Sequence, residues 1–203
     1  QLFLANLAQT SHAPLLMEVE SAQGVYLNGP DGQQWIDLIS GISVSSVGHS
    51  HPHVIEAIQS QVAKYMHIMV YGEMVLSPQV LFARALLDKL PDYLDNCYFV
   101  NSGSEAIDGA LKLAKRFTGR PEIVAFNNAY HGSTHGALSV IGSEYFRNSF
   151  RPLLPGVNHL DFDNADQLAI ITDKTACVVI ELVRGEAGAE KADPNFISQV
   201  QER

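Results

Sequence analysis

Residues 97–118 constrain the fold more than any other part of this sequence. An apolar run passes through the turn Asn-Ser-Gly-Ser directly into an amphipathic pattern, which predicts a strand, a tight turn and a helix. The N–H groups of a helix's first turn have no intrahelical partner and carry partial positive charge, so this corner can bind an anion. Gly103 lets a ligand approach the backbone, while Ser102 and Ser104 add hydroxyl donors. We therefore predict a phosphate site at these three residues.

A second interpretation of the same turn is simpler. Serine is one of the usual N-cap residues, so Ser102 or Ser104 would also serve as the cap of an ordinary helix. The turn matches neither the GxxxxGK[ST] loop of nucleotide-binding proteins nor the GxGxxG dinucleotide motif. The helix is predicted over 104–117, with Gly119 as its stop. Its predicted apolar face comprises Ile107, Ala110, Leu111, Ala114 and Phe117.

The charge and hydropathy of the chain exclude several classes of protein. Its formal net charge is -9 and its basic residues do not cluster, which argues against nucleic-acid binding. No apolar run approaches the roughly 20 residues that span a bilayer, and the N-terminus lacks a charged signal-peptide region. We therefore predict no membrane association and a cytoplasmic location. Cys97 and Cys177 lie in apolar runs and are expected to be buried, reduced thiols.

The pattern of apolar residues divides the chain into two parts. Short extended runs at 17–20, 25–27 and 34–37 predict a small antiparallel sheet, and helices are expected from Pro52 and from Ser77-Pro78. Further along, strands are predicted at 97–100, 122–126 and 176–182, and a helix at 165–172 capped by Asp163 or Asn164. Uniformly apolar strands between helices are typical of a parallel sheet covered on both faces. We therefore predict an α/β fold with a small lobe in residues 1–69 and a larger domain in residues 70–203.

Five motifs follow one another in the order found in one enzyme family. They are Gly29-Pro-Asp-Gly32 with Trp35-Ile-Asp37 and Ser40-Gly-Ile42, Gly48-His49-Ser50-His51-Pro52, Asn101-Ser-Gly-Ser-Glu-Ala106, Tyr130-His131-Gly132 with Gly136-Ala-Leu-Ser139, and Glu181-Leu-Val-Arg-Gly185-Glu186. From about Gly24 to Gly188 the sequence resembles the class III aminotransferases, pyridoxal-phosphate enzymes related to ornithine and acetylornithine aminotransferase. The resemblance implies a fold-type-I transferase: a mostly parallel sheet covered by helices, with a small N-terminal antiparallel lobe.

The resemblance also implies cofactor-binding roles for named residues. Ser102, Gly103 and Ser104 would hold the phosphate of pyridoxal 5'-phosphate. Tyr130 would stack on its ring with His131 close by. Glu181 would sit beside the cofactor, and Glu186 would hold an arginine that later binds the second substrate's carboxylate. Taken alone, these residues also fit simpler interpretations: a loop tyrosine packed on its neighbours, a partly solvated acid at a strand end and an exposed loop acid.

Two groups that the family needs are missing from this sequence. Its Schiff-base lysine and its ring-nitrogen aspartate follow the last motif and are expected beyond Arg203. None of the six lysines present is predicted in an apolar pocket that would make its amine reactive. The chain therefore reads as the truncated front part of an enzyme. We predict that alone it has no catalytic residue, is inactive and is unstable, because the cut leaves the parallel sheet with an unpaired edge.

Three residues depart from the family's usual motifs. Ser133 stands where Arg is common, and Leu182 and Arg184 replace Pro and Gln. Arg184 adds a positive charge near the site, which suggests a dicarboxylate substrate as a hypothesis. The intact enzyme would move an amino group between an amino acid and a 2-oxo acid, as a homodimer with its site at the subunit interface.

Two other functions stay open from the sequence. The first is a non-catalytic module that binds a phosphate, a cofactor or another protein with the same scaffold. The second is a metal-dependent enzyme, because His49, His51 and His53 alternate and His131 and His135 are four apart. Pro52 interrupts the first group and Gly132 weakens a helix through the second, so no metal site is predicted.

Overall fold

A computed structural model describes residues 2–69 and 71–203. The chain divides into two compact units, Gln1–Val80 and Leu81–Arg203. The domain boundary predicted between residues 69 and 70 stays a prediction.

The first unit contains the small antiparallel sheet that the sequence predicts. Its three strands, in the order β1-β2-β3, are β1 (Ser21–Gln23), β2 (Tyr26–Asn28) and β3 (Gln34–Ile36). The central residue Leu27 lies opposite Ala22 and Trp35. The strand β1 begins at Ser21, four residues later than the expected start at residue 17. The reason is the turn at Gly24, with φ of 57°, which pairs β2 with residues 21–23.

Helices make up much of the rest of the first unit. They are α1 (Leu2–Asn6), α2 (Ser40–Ser43) and α3 (Pro52–Val62), with single 3-10 turns at Pro30–Gly32 and Tyr71–Glu73. The helix α4 (Ser77–Leu87) runs across the boundary into the second unit. The helix starts predicted at Pro52 and at Ser77-Pro78 are confirmed, although Ser77 is already helical.

The second unit is built on a three-stranded parallel sheet. Its strands, in the order β5-β4-β6, are β4 (Glu122–Phe126), β5 (Val157–Leu160) and β6 (Thr175–Val178). The parallel sheet is as predicted, but β5 was not predicted, because the polar Asn158 and His159 interrupt its apolar pattern. Residues 97–100 do not form the predicted strand, since no described strand pairs with them.

Helices and a hairpin surround this sheet. They are α5 (Gly103–Thr118), α6 (His135–Val140), α7 (Glu144–Arg147), 3-10 helices at Asn148–Phe150 and Ala165–Ile170, the hairpin of β7 (Val183–Arg184) and β8 (Glu190–Lys191), and α8 (Pro194–Gln201). Gly119 is left-handed, and its N–H donates to Lys115 O at 2.9 Å, so it ends α5 as predicted. The helix predicted at 165–172 is a shorter 3-10 helix behind Asn164, whose side chain makes no cap hydrogen bond.

The core lies on both faces of the central strand β4. Val124 and Phe126 pack on one face, and Ile123 and Ala125 pack on the other against Leu111 of α5. This alternation is the period of two expected for a strand covered on both sides. The predicted face of α5 is only partly buried: Phe117 is 88% exposed. At 100° per residue, Phe117 lies about 120° around the helix from Leu111, so it points away from the sheet.

Candidate active site

The helix α5 begins with a reciprocal cap. Ser102 is the N-cap, and its Oγ accepts a hydrogen bond from Glu105 N at 3.2 Å. The Glu105 carboxylate reaches back to accept from Asn101 N at 2.7 Å. The first intrahelical bond runs from Ala106 N to Ser102 O, so the N–H groups of Gly103 and Ser104 precede it. The cap and the anion corner are therefore compatible, because the cap uses the Ser102 oxygen only as an acceptor.

The corner is open at Gly103. A Cβ built on this glycine would meet no other atom within 4 Å. Its backbone is therefore accessible to a ligand on the side where the first-turn N–H groups carry partial positive charge. This geometry fits a bound phosphate.

The loop after β4 is fixed against the start of α5. Ser133 N donates to Ser104 Oγ at 3.0 Å, and Thr134 Oγ1 donates to Ser104 O at 3.3 Å. Gly132 is buried with φ of 117°, and a Cβ there would overlap the Ser104 side chain. Only glycine fits this close approach. The loop that carries Tyr130 and the predicted phosphate corner are thus brought together.

Two contacts hold the Tyr130 side chain. Its Oη lies 3.1 Å from Ser133 Oγ, and the ring meets Phe146 edge to face with centroids 5.7 Å apart. The residue remains 38% exposed, so part of its surface is free to contact a ligand. An aromatic ring fixed in this way beside an anion corner can serve as a stacking plate.

Glu181 connects two loops. Its Oε1 accepts a hydrogen bond from Tyr130 N at 2.6 Å, and its Oε2 accepts from Gly185 N at 3.1 Å. Hydrogen bonds to a carboxylate are among the stronger ones in proteins. The Glu181 side chain therefore fixes the position of the Tyr130 backbone.

One ring nitrogen of His131 is buried. Among the described residues, nothing hydrogen-bonds its Nε2. Burial lowers the pKa of His131, and the negative charge of Glu181 opposes that shift only in part. The imidazole is therefore neutral near pH 7. An unpaired buried polar atom is rare, and it is explained if a ligand group bonds it.

Comparisons with known proteins identify the family. A sequence profile described as Aminotransferase class-III matches residues 7–203. The chain belongs to the class III aminotransferases. It is 38% identical to the acetylornithine aminotransferase of Archaeoglobus fulgidus over 91% of its own length and 48% of that protein. It is 34% identical to the [LysW]-aminoadipate semialdehyde/glutamate semialdehyde transaminase of Sulfolobus acidocaldarius, covering 92% of the chain and 48% of the relative.

Solved structures agree with the fold of this family. The adenosylmethionine-8-amino-7-oxononanoate aminotransferase of Methanocaldococcus jannaschii superposes with a TM-score of 0.91 at 26% identity, covering 99% of this chain and 50% of that one. The taurine:2-oxoglutarate aminotransferase of Bifidobacterium kashiwanohense, at 24% identity and a TM-score of 0.85, covers 99% and 51% and supports the fold alone. The predicted fold-type-I class is confirmed. The chain spans about half the length of the curated relatives it matches.

The departures from the usual class III motifs differ in their consequences. Arg184 is buried, its Nη2 lies 2.6 Å from Glu190 Oε2, and its guanidinium lies 4.1 Å from the centre of the Phe162 ring. Its charge is therefore paired with the Glu190 carboxylate, and the hypothesis of a dicarboxylate substrate loses its support. Ser133 contributes to the site by bonding both Tyr130 and Ser104. Leu182 is exposed, as is the predicted substrate-side residue Glu186.

Two of the five histidines considered as metal ligands, His49 and His135, make other contacts. His49 Nε2 lies 2.6 Å from Asp37 Oδ2, and His135 Nε2 lies 3.0 Å from Pro152 O. Within residues 2–69 and 71–203, no three His, Cys, Asp or Glu side chains are arranged to hold a metal ion. No helix in these ranges is long and apolar enough to cross a membrane.

Three parts of the site of this class III aminotransferase were not predicted from its sequence. These are the contact of Gly132 with Ser104, the packing of Phe146 on Tyr130, and the hydrogen bonds that Glu181 makes to backbone N–H groups. The glycine after Tyr130-His131 was a signal for the first, since a glycine in a loop often marks a close approach. No sequence signal marked the other two, because they join residues far apart in the chain.

Proposed function

We propose that this chain is part of a pyridoxal-phosphate-dependent aminotransferase, which moves an amino group from an amino acid to a 2-oxo acid. The observation that carries the proposal is the contact between Ser104 and the loop of Gly132 and Ser133. It puts an open anion corner and an exposed aromatic ring into one site. The names of the relatives, which include several aminotransferases, support the same activity.

The residues present fit this cofactor. Ser102, Gly103 and Ser104 would bind the phosphate through first-turn N–H groups and hydroxyls, in the open space beside Gly103. Tyr130 would cover one face of the ring. His131 follows it in the chain, and its Nε2, which has no hydrogen-bond partner among the described residues, would bond the cofactor. When bound, pyridoxal phosphate supplies an electron sink that makes transfer of the amino group possible.

The chain's own residues then have distinct tasks. The start of α5 binds and orients the phosphate, and Tyr130 limits the movement of the ring and excludes water from one face. Glu181 keeps Tyr130 in place through its backbone N–H. Glu186 is exposed at the tip of a hairpin, and we propose that it contacts a mobile arginine on the substrate side.

The lysine that would hold the cofactor covalently is proposed to lie beyond Arg203, with the aspartate for the ring nitrogen. Five of the six lysines in this chain are exposed. Lys115 is half-buried but belongs to the last turn of α5, about 18 Å along the helix from Gly103 at 1.5 Å per residue. It is too distant to react with a cofactor bound at the start of the helix.

The absorbance spectrum of the full-length gene product, before and after borohydride reduction, tests this function. We expect a cofactor band that reduction replaces with cofactor fixed to one lysine outside residues 1–203, found by peptide mapping. The 203-residue chain alone is the matched control, and none of its lysines should become labelled. If the full-length product shows no cofactor band even with added pyridoxal phosphate, the non-catalytic module is the better interpretation.

A further inference from the structure

The hairpin after Glu181 carries a buried arginine. In its two strands Val183 pairs with Lys191 and Arg184 pairs with Glu190, and the bond from Ala192 N to Leu182 O at 3.0 Å extends the ladder. The side chains of residues directly opposite each other lie on the same face of the hairpin. This explains how Arg184 Nη2 reaches Glu190 Oε2 at 2.6 Å.

Arg184 fastens the hairpin to the core of the second unit. Its guanidinium stacks on Phe162, with 4.1 Å between the guanidinium carbon and the ring centre. Phe162 in turn packs on Phe126 and Phe196, with ring centroids 4.7 and 6.4 Å apart. A planar guanidinium held by a ring on one side and a carboxylate at its end has little freedom to turn.

The position of Arg184 is transmitted to Tyr130 through one residue and one carboxylate. Gly185, the next residue, donates its N–H to Glu181 Oε2 at 3.1 Å. The other oxygen, Oε1, accepts from Tyr130 N at 2.6 Å. A shift of the hairpin at Arg184 would therefore move Glu181 and, with it, the backbone of Tyr130.

This arrangement is a poor source of stability by itself. Among the described residues, Arg184 Nε is buried without a hydrogen-bond partner. A buried donor left unpaired lowers stability. The Glu190 side chain is 58% exposed, so solvent screens its ion pair with Arg184, and the pair contributes little free energy of unfolding. The contacts of Arg184 are thus better suited to fixing a geometry than to holding the fold together.

We propose that Arg184, with Glu190, is a positioning residue that fixes the aromatic plate Tyr130 through Gly185 and Glu181. The proposal rests on the function proposed above, because its effect is on binding of pyridoxal phosphate. In this proposal Arg184 does not contact the cofactor. It fixes the position of Tyr130, which does.

The test compares cofactor affinity and stability in the full-length gene product. Arg184→Gln should raise the dissociation constant of added pyridoxal phosphate about tenfold, a usual size for coupling between two sites. Glu190→Gln should also raise it. Arg184→Lys should fall between Arg184→Gln and the wild type, because it keeps the charge but not the planar group. Arg116→Gln is the matched control, since Arg116 is exposed in the last turn of α5 and should leave the affinity unchanged.

A double-mutant cycle with Tyr130→Ala separates positioning from general damage. If Arg184 acts through Tyr130, adding Arg184→Gln to Tyr130→Ala should change the dissociation constant less than twofold. A full tenfold effect in that background, or a fall in melting temperature with unchanged cofactor affinity, would overturn the proposal. Failure of the wild type to bind pyridoxal phosphate at all would instead refute the proposed function.

Discussion

Two glycines show how single residues define this site. Gly103 leaves space that a ligand can enter, and Gly132 leaves space that the Ser104 side chain already fills. Only Gly132 combines a left-handed φ, 117°, with a contact too close for any Cβ. The first glycine therefore matters for binding, and the second for joining the loop to the helix.

Gly103→Asp should abolish binding of pyridoxal phosphate without unfolding the protein. The new carboxylate would occupy the proposed phosphate position and repel it. An acidic residue in the first turn of a helix is favourable for stability, so the melting temperature should not fall. Equilibrium dialysis with pyridoxal phosphate, paired with a melting curve, measures both effects.

Gly103→Ala is the matched control for this experiment, because its Cβ meets no other atom and its backbone is not left-handed. It should fold normally and lose less affinity than Gly103→Asp, because it adds a methyl group but no negative charge beside the phosphate. Unchanged cofactor affinity in Gly103→Asp would show that the phosphate binds elsewhere.

The helix α5 combines a structural and a functional end. The cap made by Ser102 and Glu105 fixes where the helix starts, and that start decides which N–H groups remain for a ligand. Its other end, at Gly119, only ends the helix.

Ser102→Ala should lower the free energy of unfolding by about 1 kcal/mol, the usual cost of losing an N-cap oxygen. Urea unfolding of the full-length product measures this change. Ser198→Ala is a suitable control, since the Ser198 hydroxyl donates to Pro194 O within α8 and caps nothing. A midpoint equal to that of the wild type would mean that the cap observed at Ser102 does not stabilise the helix.

The strand β5 carries a histidine that should make stability depend on pH. Burial, with the positive charge of Arg147 beside it, lowers the pKa of His159 from 6.5 to about 4, although Glu144 lies near enough to oppose the shift. Between these values the unfolded chain binds a proton that the folded chain does not. The free energy of unfolding should therefore fall as the pH falls from 6.5 to about 4, by at most about 3 kcal/mol from this group.

Urea unfolding at several pH values tests this prediction. His159→Gln should flatten the slope in that window, leaving the part due to His131, whose pKa is lowered in the same direction. His12→Gln, at an exposed residue, is the control. An unchanged slope in His159→Gln would contradict the prediction.

For the molecule as a whole, the first unit requires a covering surface. Gly29 is its only buried residue among residues 2–69 and 72–80, and large apolar side chains such as Leu38, at 90% exposure, face outward. Exposed apolar side chains of this size mark a surface that another part of the protein or a second subunit covers. A homodimer, as the family resemblance implies, would cover it.

We expect the full-length gene product to sediment as a dimer, with a melting temperature that rises with protein concentration because association stabilises the folded state. Analytical ultracentrifugation and melting curves over a hundredfold range of concentration measure both. A fully active monomer would exclude a site shared between subunits.

The sequence alone predicted the order of this protein's main elements. Period-two and period-3.6 patterns, with glycine and proline at the breaks, located β4 and the helices α3 to α5, because these signals lie within a few neighbouring residues. The motifs were sufficient to name the family, and they indicated Ser102, Gly103 and Tyr130 as candidates for the site.

Only the tertiary structure decided which residues meet. It showed that residues 97–100 belong to none of the described sheets and added β5, because a strand exists only where another strand pairs with it. It also showed that Arg184 contacts Glu190 and Phe162, whereas the sequence had suggested a contact with the substrate. Contacts of this kind join residues distant in sequence, and local patterns carry no information about the packing that brings them together.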